Sequence, residues 1–391
     1  MQPTKHGFIG AYTRDGYVMF DPRAMIGEDL VRRITICGGS RSARGECLRA
    51  IARRISERGY EADMMHSTLD HNILQCIVCP GCGLFVISDD TADSEYESAM
   101  DGGYGAQLHS IRGGGAEPGA KVSGEEYDTV IDLDEALRTV RSGAFPEAMD
   151  ALLEEAAAYE RRAARCLEAA VPMRRDAEEE YRSALNEKAM ERLLAPWIDT
   201  ITAFRSSADG GVEARFFAEA VTPGGLVQYL DTIAMPRLWR ISGPWGCDFH
   251  TPLSKLRDAA LSRGMRVLCS MEALRPDRIC HLLINELELF ITSEECVGAL
   301  ADSAQRTIDI RQVMPGAEKM SQNTMRALAF DELTYDQLLE RAAHNLELAH
   351  KIYTHIDKKI EERMDGQAFG LLTGVALEAA EAAFARRPVT V

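Results

Sequence analysis

Positive charge is what this chain has too little of. Its 44 Lys and Arg residues face 61 Asp and Glu, giving a formal net charge of -17. Phosphate backbones and anionic lipid surfaces call for a cationic surplus, so neither nucleic acid nor a membrane is expected as a partner. Long apolar runs are missing too. None approaches the length of roughly 18 residues that a spanning helix needs, and Met1 to Phe8 lacks the apolar core of a signal peptide. The ten cysteines are scattered, with Cys37 and Cys269 inside apolar, strand-like runs. That suits buried thiols in a reducing cytoplasm better than a disulfide framework, and a cytoplasmic location is expected.

What is present is ordinary globular material: 391 residues, 46% hydrophobic and 27% charged, enough for two or three domains. The informative feature is a repeat. Ile34-Thr-Ile-Cys-Gly-Gly aligns with Trp239-Arg-Ile-Ser-Gly-Pro at an offset of 205 residues. Without a gap, the same offset pairs Leu48 with Leu253, Arg58-Gly59 with Arg263-Gly264, and Ser88-Asp89-Asp90 with Ser293-Glu294-Glu295. Upstream, Thr13 to Val18 echoes Thr222 to Val227. Downstream, Val130-Ile-Asp-Leu matches Thr307-Ile-Asp-Ile, and Leu152-Leu-Glu-Glu-Ala-Ala matches Leu338-Leu-Glu-Arg-Ala-Ala. A duplication over nearly the whole chain is expected.

Within one copy, Arg33 to Cys37 reads as a short strand ending in Gly38-Gly39. A helix follows over about Glu46 to Arg58, with Leu48, Ile51, Ala52 and Ile55 at helical spacing. Glu61 to His66 and the apolar Gly83 to Ser88 read as further strands, and the series predicts a parallel α/β sheet. Pro146 to Ala170 predicts a helix stopped near Pro172, and Arg174 to Leu194 a second one. Thr334 with Gln337 reads as a capping box opening a last long helix, whose seam is Leu339, Ala342, Leu346, Ala349, Tyr353, Ile356 and Ile360. The expected fold class is therefore α/β: two duplicated P-loop NTPase-like parallel-sheet domains, each followed by a helical hairpin. The domains are 1–145, with a flexible insertion at about 92–126, and 206–325. The hairpins are 146–205 and 326–391. Each hairpin packs on its own half, on the other, or across a dimer.

The chain resembles a bacterial family of tandem P-loop ATPase-like proteins. The resemblance rests on the opening His6, Phe8, Gly10, Thr13 and Gly16, and on its echo in Phe217, Ala218, Thr222, Pro223 and Gly225. The helix ending in Arg-Gly and the later Val-Ile-Asp-Leu segment add to it. It implies a fold and an ancestral nucleotide site, and little about cellular role.

A working P-loop turns backbone N–H groups toward phosphate, adds a Lys for the β and γ phosphates, and holds Mg²⁺ with a Ser or Thr hydroxyl. The first copy reads Gly38, Gly39, Ser40, Arg41, Ser42, Ala43, Arg44, Gly45, Glu46. The spacing is kept, but Ala43 stands for a glycine, Arg44 for the Lys, and Gly45 for the Mg²⁺ ligand. Arg41 and Arg44 remain able to fork an oxyanion, while Glu46 sets a carboxylate at the helix start. The second copy, Gly243 to Pro252, has Phe249 at the Lys position and Asp248 beside it, with Thr251-Pro252 as the expected helix start. Asp89 and Asp90, echoed by Glu294 and Glu295, follow a buried strand where an Mg²⁺-contacting acid would lie.

One local motif competes. Cys76, Cys79 and Cys82 have successive Cys-x-x-Cys spacing, which can wrap Zn or an Fe–S cluster if a fourth ligand is found, or leave buried, redox-sensitive thiols. Three functions are thus expected in competition. The first is a pseudo-ATPase with weak or no nucleotide binding, acting as scaffold or regulator through a protein partner or self-association. The second is an active ATPase or nucleotide kinase-like enzyme with ATP and Mg²⁺ as cofactors, Arg44 in place of the Lys, and a nucleotide or phosphorylated ligand. The third is a metal- or redox-responsive protein.

Overall fold

Short β-branched runs closed by glycine or serine make the strands, and long runs rich in Ala, Leu and Glu make the helices. The structure is a computed structural model. It describes residues 4–27, 30–88, 121–122, 128–138, 144–204, 210–233, 235–293, 303–316 and 320–386. Most of the expected insertion at 92–126 lies outside them.

In chain order the first sheet region comprises β1 (Arg32–Cys37), α1 (Arg41–Glu57), β2 (Asp63–His66), β3 (Leu74–Cys79), β4 (Leu84–Ser88), β5 (Lys121–Val122) and β6 (Asp128–Asp132). Two helices follow, α2 (Ala144–Ala184) and α3 (Glu187–Thr202). The second region comprises β7 (Val212–Phe216), β8 (Arg237–Ser242), α4 (His250–Leu261), β9 (Arg266–Met271), β10 (Ile279–Ile284), β11 (Leu289–Ser293) and β12 (Arg306–Asp309). Helices α5 (Gln322–Glu361) and α6 (Gly366–Arg386) complete the list. The chain separates into two compact units, residues 1–5, 21–160 and 346–391 in one and 6–20 with 161–345 in the other. Each sheet therefore shares its unit with helical residues that follow the other sheet in sequence.

In the first unit the six strands run β2-β3-β4-β1-β6-β5. Strand β1 is central, parallel to β4 and to β6. The expected parallel sheet is in fact mixed. Strand β3 runs against both β2 and β4, because tight turns at Asp70–Ile73 and Pro80–Gly83 reverse the chain on either side of it. Gly83, at φ +66°, permits the second turn. Ser40 caps α1 by accepting from Ala43 N at 3.0 Å, so the helix starts five residues before the expected Glu46. Leu48, Ile51, Ala52 and Ile55 are buried as their spacing predicts, against Ile34, Ile36, Ile77 and Val86. Ala376, Ala380, Ala383 and Phe384 of α6 complete that core. Contrary to the expectation that no apolar run reaches spanning length, Gly366–Ala385 of α6 is by length and composition apolar enough to cross a membrane, although its Ala376, Ala380 and Ala383 are buried in this core.

In the second unit the order is β7-β9-β10-β11-β8-β12, with β8 central and parallel to β11 and β12. The registers repeat those of the first sheet. Arg237 faces Leu289 as Arg32 faces Leu84, and the register shift after Ser270 in β9 matches the one after Met65 in β2. Two hairpins in this unit repeat each other as well: the Thr13 hydroxyl donates to Gly16 O at 3.0 Å and the Thr222 hydroxyl to Gly225 O at 2.9 Å. Phe8 and Phe217 exchange both backbone hydrogen bonds at 2.8 Å. Helix α3 closes this core with Leu194, Trp197 and Ile201, the Trp197 ring 4.8 Å from that of Trp239.

Three further helix boundaries differ from expectation. Pro172 does not stop α2, which runs through it. An interior proline costs about 3 kcal/mol, and burial of Leu167, Ala170, Val171, Ala177 and Tyr181 along the same helix outweighs it. Helix α5 begins near Ser321, whose hydroxyl accepts from Thr324 N at 3.0 Å, so Thr334 is mid-helix and donates back to Phe330 O. Helix α4 is capped by Asp248, which accepts from Thr251 N at 3.2 Å, and not by Thr251 itself.

Candidate functional site

The turn after β1 has the shape of an anion cradle. Gly38 and Gly39 take φ of +65° and +61°, which only glycine adopts without strain, and α1 points its N-terminus at the turn. Four donors of this turn are already used inside the protein. Gly39 N–H donates to Asp134 Oδ1 at 2.8 Å and Arg41 N–H to Asp357 Oδ1 at 2.9 Å. Ala43 N–H goes to the Ser40 hydroxyl, and that hydroxyl donates to Glu361 Oε1 at 3.0 Å. The Arg41 guanidinium grips Asp357 Oδ2 at 2.9 and 3.1 Å and lies 4.4 Å over the Tyr353 ring. Asp357 and Glu361 are one turn apart on α5, so a single helix delivers both carboxylates.

Arg44, at the Lys position, turns inward. It is 1% exposed, and its guanidinium donates to Ser88 Oγ at 2.9 Å, to Gly38 O at 3.0 Å and to Gly39 O at 3.3 Å. It holds the turn to the end of β4 and offers no charge to the cradle. Gly45 is needed for another reason: a Cβ there would stand 2.7 Å from Ile73 Cγ2, so the segment before β3 occupies the room of the missing hydroxyl. Glu46 is exposed; the anions against this turn include Asp132, Asp134, Asp357 and Glu361. Ser42 is partly exposed on the same turn. Asp89 and Asp90, with Glu294 and Glu295, lie outside the described residues.

The turn after β8 is closed by bulk. Pro244 has no N–H where Gly39 has one, and Arg311 stands where Asp134 would receive it. Phe249, at the Arg44 position, and Cys247 are buried in the core. Gly246, at φ +85°, lies against Ala177 of α2 so closely that a Cβ would overlap it. The Arg174 guanidinium sits 5.3 Å over the Trp245 ring and reaches Cys247 O at 3.5 Å. Asp248 is bound by Arg278 at 2.6 Å; burial pushes its carboxyl up, but the Thr251 hydroxyl and Arg278 outweigh that and hold it below the usual range. With Arg44 replaced by Phe249, the Ser88 counterpart Ser293 is fully buried and its hydroxyl has no partner among the described residues.

The cysteine motif is split by strand geometry. Cys76 and Cys79 lie on β3, three residues apart and so on opposite faces, and Cys82 is in the next turn. Cys79 and Cys82 meet, sulfur to sulfur, at 3.1 Å. The Cys82 thiol donates to Cys79, which draws Cys79 below the usual thiol range and raises Cys82. Among the described residues no group of three or more His, Cys, Asp or Glu side chains is arranged to hold a metal ion. His281 takes the Cys76 position in the second sheet, fully buried with Nδ1 2.9 Å from Thr292 Oγ1, and burial depresses its pKa to about 3. No protein family, curated protein or solved structure matches the chain.

Asp357 and Glu361 could not be found by motif, since they lie more than 300 residues from the turn they close. A faint signal exists for Asp134 in the repeat itself: Gly39 and Asp134 change together into Pro244 and Arg311.

Proposed function

We propose that the chain is a duplicated P-loop-type protein that has given up nucleoside triphosphate hydrolysis in both halves and works as a scaffold or regulator through protein contacts. Shared strand order, shared registers and matching glycine turns after the two central strands support the duplication and the P-loop ancestry. The observation that carries the functional reading is the occupied cradle. Asp134 and Asp357 sit on the backbone donors that a phosphate would require, and Arg44 is spent on the turn's own carbonyls. A terminal phosphate would have to displace a buried Arg41–Asp357 pair, both side chains 9% exposed, and breaking such a pair costs about 3–5 kcal/mol. That is a factor of roughly one hundred to a few thousand in affinity. Titration calorimetry of the full chain with Mg-ATP tests it: no saturable heat is expected at millimolar nucleotide. Micromolar binding together with turnover abolished by Arg44→Ala would replace this reading with an active enzyme.

The Cys79–Cys82 contact supports a second, redox-responsive reading. Two thiols 3.1 Å apart need a shift of about 1 Å to reach disulfide length. Mild oxidant is then expected to remove two hydrogens from the pair, seen by mass after alkylation. Two freely alkylated thiols at these positions after oxidant and unfolding would dispose of it.

A further inference from the structure

A cleft of about 550 Å³ opens between α2 and α5 in the second unit, away from both turns. We infer that it binds a small phosphorylated molecule carrying at least two negative charges. Its wall includes Arg162 and Arg165, nearly one turn apart on α2, and Arg341 facing them from α5. Cys166, Leu338 and Asn345 line it too, and no lining residue is acidic. In a chain of net charge -17, a concave site walled by three guanidiniums and no carboxylate runs against the global balance. A concave wall of one sign focuses the field on its interior and draws in the opposite charge.

Two of these arginines, Arg165 and Arg341, are not accounted for by internal pairing. Their guanidiniums make no hydrogen bond or ion pair among the described residues. They differ in this from Arg41, Arg44, Arg275 and Arg278, each of which is tied to a carboxylate, a hydroxyl or a carbonyl. Arg162 and Arg165 share a face of α2 with Cys166 and Ala169, turned away from the buried stripe Ala163, Leu167 and Ala170, so packing of that stripe does not account for them. The Asn345 amide donates to Arg341 O at 2.7 Å and so fixes the α5 wall. Guanidinium forks match phosphate oxygens two at a time, which favours phosphate over a diffuse anion. The volume is in the range of small-molecule sites, and Leu338 with Ala169 supplies an apolar side for the remainder of the ligand.

The test is titration calorimetry of the full chain with inorganic pyrophosphate at fixed ionic strength, repeated with Arg165→Gln/Arg341→Gln and, separately, with Arg41→Gln. Arg165 and Arg341 are both exposed, so thermal midpoints of the double variant are expected to match the parent. Saturable pyrophosphate binding weakened at least tenfold in the double variant and unchanged by Arg41→Gln is the expected result. No binding in the parent, or binding untouched by the double variant, overturns the proposal. Citrate binding more tightly than pyrophosphate overturns the phosphate assignment. Binding lost in Arg41→Gln alone overturns it as well, and places the anion at the turn after β1, against the closed-cradle reading. Absence of binding anywhere leaves that reading intact.

Discussion

Around Gly38 the chain keeps the donors of an anion cradle and fills them with its own carboxylates, whereas around Gly243 it loses the Gly39-type N–H and the arginine and fills the space with Pro244, Phe249 and Ala177. The two turns leave matching central strands, so scaffold geometry is not what separates them. The difference teaches that a phosphate-type turn can be closed by charge or by bulk. Charge closure preserves polar chemistry that one substitution can expose. Bulk closure preserves nothing but packing, and its trace is an orphan such as the Ser293 hydroxyl.

The largest effect that would sharpen this contrast belongs to Asp357→Ala. It strands the buried Arg41 guanidinium and is expected to cost about 3–5 kcal/mol in denaturant unfolding, with Glu361→Ala, at the exposed end of the pair, well below that. At the other turn, Gly246→Ala combines overlap with Ala177 and a positive φ, for roughly 2–4 kcal/mol. A cost near zero for Gly246→Ala would mean that α2 does not close this turn.

Next comes acid sensitivity at the His281 position of the second sheet. Buried His281 stays neutral in the folded chain down to about pH 3, while an unfolded imidazole takes up a proton near pH 6.5. The unfolded state then binds more protons between those values, so stability falls as pH drops through that window, by up to about 1.4 kcal/mol per pH unit. His281→Cys, which copies Cys76 of the first sheet, is expected to remove that part of the slope. An unchanged slope would show the ring to be solvated or charged.

The smallest effect compares equivalent serines. Ser88→Ala deprives the Arg44 guanidinium of an acceptor and should cost about 1–3 kcal/mol, whereas Ser293→Ala removes a hydroxyl that has no partner and should be neutral or slightly stabilising. Equal costs would mean that Ser293 has found a partner and that the pair was never lost.

Much of the fold was legible in the chain. The 205-residue offset located both sheets, because apolar strands and glycine turns are written locally, and the buried faces of α1 and α5 followed from spacing. Strand β3 was not legible as a strand, since its cysteines drew the eye to metal chemistry and its turns carry only Pro80 and Gly83 as signals. Pro172 misled because local propensity was outweighed by the burial of its own helix. The loss of an open cradle was half-legible: Ala43, Gly45 and Phe249 announced it. The carboxylates that close the first turn came from α5, and a contact of that sequence separation has no local signature.

Amide hydrogen exchange across residues 38–46, read by mass spectrometry with and without millimolar Mg-ATP, addresses the central claim most directly. The account predicts amides protected from the outset, because Asp134 and Asp357 already hold them, and unaltered by nucleotide. Amides that exchange freely in the apo chain and become protected when Mg-ATP is added would contradict it.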